Sequence, residues 1–355
     1  MKILSKLNRQ SSFWTSLLSV FIGLIIGAIA MIASGYDPLD AYGALFGSSL
    51  LQRYDLGETI RTISPLIFTG LAVAVAFRTG LFNIGVEGQF LVGQLTAVII
   101  GLLIPLPPVA HAIISLIVGA LAGALWASIP GVLKATRGVH EVIISIMMNF
   151  IALYLSNVLV RQVLAPGRDS TDRILDTASI RSPGLSELFE GARLHFGILL
   201  ALLATILVSW LLFKSALGFQ LRAVGYNPLA AEYAGIKVKK NIVASMMISG
   251  SLAGLAGATE LLGTSEYLAI QDAFTGIGFD GIAVSLLGGN TPIGVVLASI
   301  LFGVLTYGGG NMQFVAGVPF EVIRIVFAAI ILLVAANISG KLFRAFRKKR
   351  GEANA

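Results

Sequence analysis

The chain has 355 residues, of which 56% are hydrophobic and only 12% charged. Its mean hydropathy is +0.88. An ordinary soluble domain carries about 25% charged residues, so this composition excludes a soluble globular protein and indicates a polytopic α-helical membrane protein. There is no cysteine, which excludes disulfides, thiolate catalysis and Cys-bound zinc. The net charge of +7 does not indicate nucleic acid, because the basic residues sit at the chain ends and in a few loops.

In chain order, Lys2, Lys6 and Arg9 precede an apolar run over 14–34, which reads as an uncleaved first span because it is too long for a signal-peptide core. A loop to residue 62 follows. Spans 2 and 3 are expected at 63–78 and 88–105, separated from span 4 (109–133) by Pro105-Leu106-Pro107-Pro108. Span 5 is expected at 141–160. The loop 161–193 mixes five arginines with five acids and reads as a polar loop. Span 6 (195–213) leads to a polar segment, 214–240. Spans 7 to 10 are expected at 241–262, 275–288, 292–307 and 321–338, before a basic tail at 341–355.

Ten spans place both termini on one side, and their Lys and Arg content makes that side cytoplasmic. Lys134, Arg137 and the 214–240 segment then fall inside, and the charge-balanced 161–193 loop falls outside. Ile84-Gly85-Val86-Glu87-Gly88 recurs as Ile277-Gly278-Phe279-Asp280-Gly281 on spans of opposite direction. That is the signature of an inverted repeat, 63–160 against 241–340, covering spans 2–5 and 7–10.

Two segments interrupt the apolar pattern with chemistry. Phe77–Gln89 introduces Arg78, Asn83, Glu87 and Gln89 between two apolar runs. Polar groups at membrane depth face a cavity or a partner. Phe82, Asn83, Glu87 and Gln89 offer an aromatic face with hydrogen-bond donors and acceptors. The other reading is a plain inner-surface turn with Arg78 and Glu87 in interfacial water. Asp280 and Asn290 carry the same two readings. Glu260, Glu266 and Asp272 are expected near the outer end of span 7, solvated. Within 214–240, Asn227-Pro228 reads as a cap plus first helical turn and Gly235 as a stop. The result is a short helix suited to a groove on another protein. His111, His140 and His195 show no metal-ligand spacing. Gly119-x-x-x-Gly123 and Gly250-x-x-x-Gly254 are packing motifs.

The segment Leu217–Ile236 resembles the coupling loop of ATP-binding-cassette importer permeases of the branched-chain amino acid, sugar and nucleoside class. Gly80-Leu81-Phe82-Asn83-Ile84-Gly85-Val86-Glu87-Gly88-Gln89 resembles the signature of the nucleoside-type branch, and Gly281–Pro292 a third shared block. The similarity covers about residues 60–340. It implies a single type II importer-like permease domain in a bacterial plasma membrane, with Arg222, Asn227, Pro228, Ala231, Glu232 and Gly235 in the coupling helix. It further implies a second permease, identical or paralogous, two ATPase subunits that use the ATP, and an extracellular binding lipoprotein. This chain itself would be no enzyme and bind no cofactor. No Gly-x-x-x-x-Gly-Lys-Ser/Thr loop is present, so ATP would be hydrolysed elsewhere. Gly276-Ile277-Gly278-Phe279-Asp280-Gly281 fits a dinucleotide pattern only nominally, since no strand precedes it. Two alternatives stay open: an ion-coupled secondary transporter of a small polar solute, and a permease of the same class for a sugar or branched-chain amino acid. No metal pair or nucleophile elbow supports an intramembrane enzyme.

Overall fold

The computed structural model describes residues 2–335. The end of span 10 and the basic tail 341–355 lie outside the described residues. Among the described residues, regular structure is helical, with two isolated β-bridges, Ser170 to Ala269 and Arg181 to His195. In order the helices are α1 (Lys2–Ala33), α2 (Pro38–Leu50), α3 (Arg53–Arg78), α4 (Val86–Leu103), α5 (Ala110–Arg137), α6 (Glu141–Leu159), α7 (Pro183–Leu188), α8 (Gly197–Lys214), α9 (Ala216–Tyr226), α10 (Pro228–Tyr233), α11 (Val238–Glu260), α12 (Ile277–Leu287), α13 (Pro292–Ala316) and α14 (Phe320–Ala335). α6 and α11 each continue into a π-helical turn, Val160–Leu164 and Leu261–Ser265.

Seven helical stretches among the described residues are long and apolar enough to cross a membrane, and Leu18–Ala33 and Ile277–Leu287 are shorter apolar helices. Several bounds differ from expectation. α1 starts at Lys2, α13 runs on to Ala316, and the loop expected to residue 62 holds α2 and the first turns of α3, where Glu58 and Arg61 are paired rather than solvated. The span expected at 241–262 runs on to Ser265 through the π-helical turn. The span expected at 275–288 is an 11-residue helix, about 16 Å at 1.5 Å per residue, roughly half the hydrocarbon core. Residues 266–276 reach it as non-helical chain.

The chain divides into two compact units, one of residues up to Gln52 with those from Val304, the other Arg53–Gly303. In the first, α1 packs along α14 at Gly23 and Gly27, where the Ile330 and Val326 side chains fill the space a β-carbon would need. Tyr42 of α2 donates a hydrogen bond to the Leu24 carbonyl at 2.5 Å.

The second unit is organised around α11, which packs on α3, α4 and α5. The small-residue motifs account for the closeness. A β-carbon on Gly123 would overlap the Gly250 carbonyl, and one on Gly254 the Gly119 carbonyl, so α5 and α11 cross backbone to backbone. α5 ends on Gly138 in the left-handed region (φ 66°), with Lys134 and Arg137 in its last turn.

The 161–193 loop is tied down rather than loosely solvated. Thr171 and Ile174 N–H groups donate to the Leu268 and Glu266 carbonyls at 2.9 and 2.8 Å. Ile174, Ala178 and Ile180 join a buried cluster with Leu95, Val98, Leu261 and Leu262. Three of its arginines go to buried acids, while Arg161 and Arg168 pair with the exposed Asp169 and Asp172. Glu266, 2% exposed, pairs with Arg173 and Arg181, and Glu58, 1% exposed, with Arg61 and Arg193. Glu260 pairs with Arg61 at 3.4 Å. The expectation of solvated acids at Glu260 and Glu266 is therefore corrected. Each is enclosed by the folded loop, and each has an arginine that offsets part of its desolvation.

His195 closes this end. Its Nδ1 accepts the Gly197 N–H at 3.0 Å, and Nε2 lies 3.3 Å from Thr264 Oγ1. Burial, then the nearby Arg61 and Arg181 charges, depress its pKa from 6.5 to about 4, with Glu58 opposing. Above pH 6.5 the ring is neutral in both states. Between pH 6.5 and about 4 the unfolded chain takes up a proton that the folded chain refuses, so stability falls as pH falls across that window, by roughly 3 kcal/mol in total. Thermal unfolding of the detergent-solubilised protein is expected to show this slope, and His195→Gln to flatten it.

Candidate functional site

The functional groups singled out in the sequence converge on α12. After α3 ends at Arg78, Gly80 takes a left-handed turn (φ 75°) and residues 81–85 re-enter the helix bundle as non-helical chain. The Phe82 N–H points at the Glu141 carboxyl at 3.5 Å, at the first residue of α6. Ile84 O and Gly88 N–H meet the Asn149 amide at 3.0 and 2.8 Å, about 12 Å further along α6. Asn83 reaches Ser249 at 2.8 Å, about 16 Å along α11 from Val238. The amide network therefore lies near the midpoint of both spans, well away from their ends.

That network is closed. Asn83 and Gln89 pair reciprocally through both amides at 3.0 and 3.2 Å. Asn83 also accepts the Gly85 N–H at 3.0 Å, and Ser249 donates to the Ala72 carbonyl at 2.6 Å. Asn83, Glu87 and Gln89 are all buried. Such groups inside a span must find partners within the protein, and these do.

Glu87, in the first turn of α4, performs a second task. Its Oε1 accepts from Thr275 Oγ1 at 2.8 Å and from Gly276 N–H at 2.9 Å, and its Oε2 accepts from Gly278 N–H at 2.6 Å. These are the otherwise unpaired N–H groups at the start of α12, so Glu87 caps that helix from another part of the chain. The N-termini of α4 and α12 thus meet. Gly278 packs so closely on Glu87 that a β-carbon there would overlap its backbone.

Arg78 serves the other end of the same helix. Its Nε donates to the Asn290 carbonyl at 2.8 Å and Nη2 to the Gly289 carbonyl at 3.5 Å, just past the C-terminus of α12. Asn290 stands in the left-handed region (φ 53°), and its side-chain oxygen accepts from Ser285 Oγ at 2.9 Å. Asp280 lies in the first turn of α12, half-buried. Phe82 is half-buried, its ring 5.2 Å from that of Phe77. The structure thus brings Glu87 to the N-terminal end of α12 with Asp280, sets Asn83 and Gln89 in the amide network against α11, puts Phe82 beside Phe77 and the start of α6, and leaves Asn290 at the opposite end of α12. Sequence reading missed the role of Arg78, although it lies in the same motif. Its position in the last turn of α3 was the available signal.

The non-helical segment before α12 carries exposed Tyr267, Asp272, Ala273 and Thr275. Beside it, Phe274 packs edge-on between Phe150 of α6 and Phe279 of α12, at 5.1 and 5.7 Å.

A separate element presents α10 to the surroundings. Asn227 caps it by accepting the Ala230 N–H at 3.1 Å, Pro228 is its first residue and Gly235 (φ 81°) ends the turn that follows. Ala231 is buried, Glu232 is exposed, and Tyr226, Leu229 and Tyr233 are 85%, 69% and 96% exposed. Arg222 lies one element back on α9, its guanidinium 5.3 Å from the Phe213 ring.

Apolar spans, a re-entrant break at mid-span and a projecting capped helix define a multi-pass membrane permease. The chain belongs to the family described as the permease component of the branched-chain amino acid transport system, whose pattern matches residues 56–335. Among its relatives is the guanosine ABC transporter permease protein NupP of Bacillus subtilis, 51% identical over 97% of this chain and 99% of the relative. The nucleoside ABC transporter permease protein NupB of Lactococcus lactis is 38% identical over 93% of this chain and 92% of its own. The glucose ABC transporter permease protein TsgB13 of Haloferax volcanii is 34% identical over 95% of this chain and 90% of its own. No solved structure matches the chain with significance.

If Glu87 holds α12 in place, its removal leaves several buried N–H groups without partners. Glu87→Ala is expected to lower unfolding stability by about 3 kcal/mol, and Glu87→Gln, which keeps one acceptor oxygen, by about 1–2 kcal/mol. Chemical unfolding in detergent measures both, and a neutral Glu87→Ala would show that the cap carries no weight.

Proposed function

We propose that this chain is a permease subunit of an ATP-driven importer and conducts nucleosides across the membrane. The observation that carries the substrate is its near-full-length similarity to a protein named as a guanosine permease. The reading includes ten crossings with both termini cytoplasmic, as the distribution of Lys and Arg supports. It also includes an inverted repeat, supported by the meeting of the α4 and α12 N-termini, the two places where the Ile-Gly-x-acid-Gly pattern occurs.

The working assembly pairs this chain with a second permease, identical or paralogous, with two ATPase subunits that hydrolyse the ATP, and with an extracellular binding lipoprotein. The exposed Tyr226, Leu229 and Tyr233 around α10 fit the first contact with an ATPase, because a rigid capped helix with aromatic side chains docks with little loss of entropy. ATP-driven closure of the ATPases would then push on α10 and rock the two permeases about a central path.

Non-helical backbone at membrane depth is tolerated only inside protein or along a wet cavity. The exposed residues of 267–275 support the reading of a cavity, with this segment along the path. Phe274 and Phe279 offer ring faces to a base, and Asp272 and Thr275 offer polar groups to a ribose. Asp280 and Phe82, half-buried, adjoin that path. Asn83, Glu87 and Gln89 support it from behind, and Asn290 braces the far end of α12.

The relative named for glucose favours a second reading, a sugar permease. Competition decides between them. In proteoliposomes carrying the whole complex, unlabelled nucleosides are expected to displace labelled guanosine, and glucose, ribose and free bases to displace it poorly. Uptake driven by an ion gradient without ATPase subunits would overturn the importer reading. Leu229→Asp and Tyr233→Asp, both on exposed positions, are expected to weaken ATPase co-purification by about tenfold or more with little change in unfolding temperature.

A further inference from the structure

We infer that Arg78 is the positioning residue that joins the ATPase-facing loop to α12, so that α12 and the path-lining segment attached to it travel with that loop. The inference rests on the importer reading above and names the residue through which its coupling runs.

Three contacts meet at Arg78. Its guanidinium holds the Asn290 and Gly289 carbonyls at the C-terminal end of α12. The same guanidinium lies 5.7 Å from the centre of the Phe213 ring, which Arg222 of α9 approaches at 5.3 Å. The two arginines therefore share one aromatic ring between the elbow and α9. The third contact is backbone on backbone. A β-carbon on Gly225 would overlap the Arg78 carbonyl, and the β-carbon direction of Gly80 ends 3.4 Å from Gly225 Cα. Gly225 stands two residues before Asn227, the cap of α10. A push on α10 thus reaches the elbow with no flexible side chain between.

From the elbow, the force has rigid elements to act on. Arg78 and Glu87 belong to one short stretch, and they grip α12 at opposite ends. An acid at its N-terminus and a base at its C-terminus match the helix dipole, so both grips favour the same helical state. α12 is then carried as a body with residues 272–275, which precede its N-terminus and follow the bonds that tie 268–271 to Asp169, Thr171 and Asn157. Arginine suits this place better than lysine, because one planar group reaches two carbonyls and lies against a ring at once.

The test uses the complete complex in liposomes, with Arg78→Gln and Arg78→Lys. Uptake per ATP hydrolysed is the readout. In Arg78→Gln, stimulated ATPase activity is expected to stay within about twofold of wild type while uptake per ATP falls about tenfold, with Arg78→Lys intermediate. Parallel loss of ATPase and uptake, or an unchanged ratio, would overturn the inference. The Tyr233→Asp complex separates the two levels. If that variant keeps its ATPases, the docking reading fails; if docking holds and Arg78→Gln transports at the wild-type ratio, only the role of Arg78 fails.

A second measurement does not depend on the yield of the glutamine variant. The chain has no cysteine, so spin labels at Phe219→Cys, exposed on α9, and Ala273→Cys report one distance in a complex with cysteine-free partners. That distance is expected to hold within about 2 Å between nucleotide-free and ATP-bound wild type, and to change with nucleotide in Arg78→Lys. A wild-type change above about 5 Å would show that α12 does not travel with the loop.

Discussion

The second unit depends on the capping of α12. An 11-residue helix inside a membrane protein has few turns of its own, and most of its backbone ends need outside partners. Both ends find them in one stretch of chain, Glu87 at the start and Arg78 at the finish. That demand explains the polar residues of Phe77–Gln89. Glu87 must be an acceptor with two oxygens, and Arg78 a planar donor. Asn83 and Gln89 close the remaining amide bonds where the chain turns back into the helices.

The two ends of this unit are built differently. At the 161–196 end, buried acids, arginines and His195 lock the loop against α3, α4 and α11 with charge-assisted bonds. Such bonds are costly to break once desolvated, and they suit a surface that keeps its shape. At the α10 end the contacts are glycine on backbone and arginine on ring, and the largest exposed side chains are Tyr226 and Tyr233. That end leaves its aromatic side chains exposed, and it lies against the same stretch that caps α12.

Much of this was legible in the residues themselves. Apolar length marked the spans, small-residue spacing marked the close crossing of α5 and α11, and Asn227-Pro228 with Gly235 marked α10. The nucleoside-type signature agreed with the relatives later found over almost the whole chain. The 161–193 loop read only as polar, because an equal mixture of arginines and acids does not reveal which of them are buried. Its partners, Glu58 and Glu266, belong to distant segments. The 275–288 span read as one long helix because apolar length does not reveal that the chain before Ile277 is non-helical.

By itself the sequence determined the class of protein, because burying uncharged apolar runs in lipid needs only their length and composition. It also determined the local helix ends, since caps and stops act within a few residues. Only the tertiary structure decided what Phe77–Gln89 is for. The partners of Arg78 and Glu87 lie 212 and 188 residues away in the chain, and no local pattern encodes a bond across that distance. The stretch that read as either a surface turn or a path lining brackets α12 at both ends.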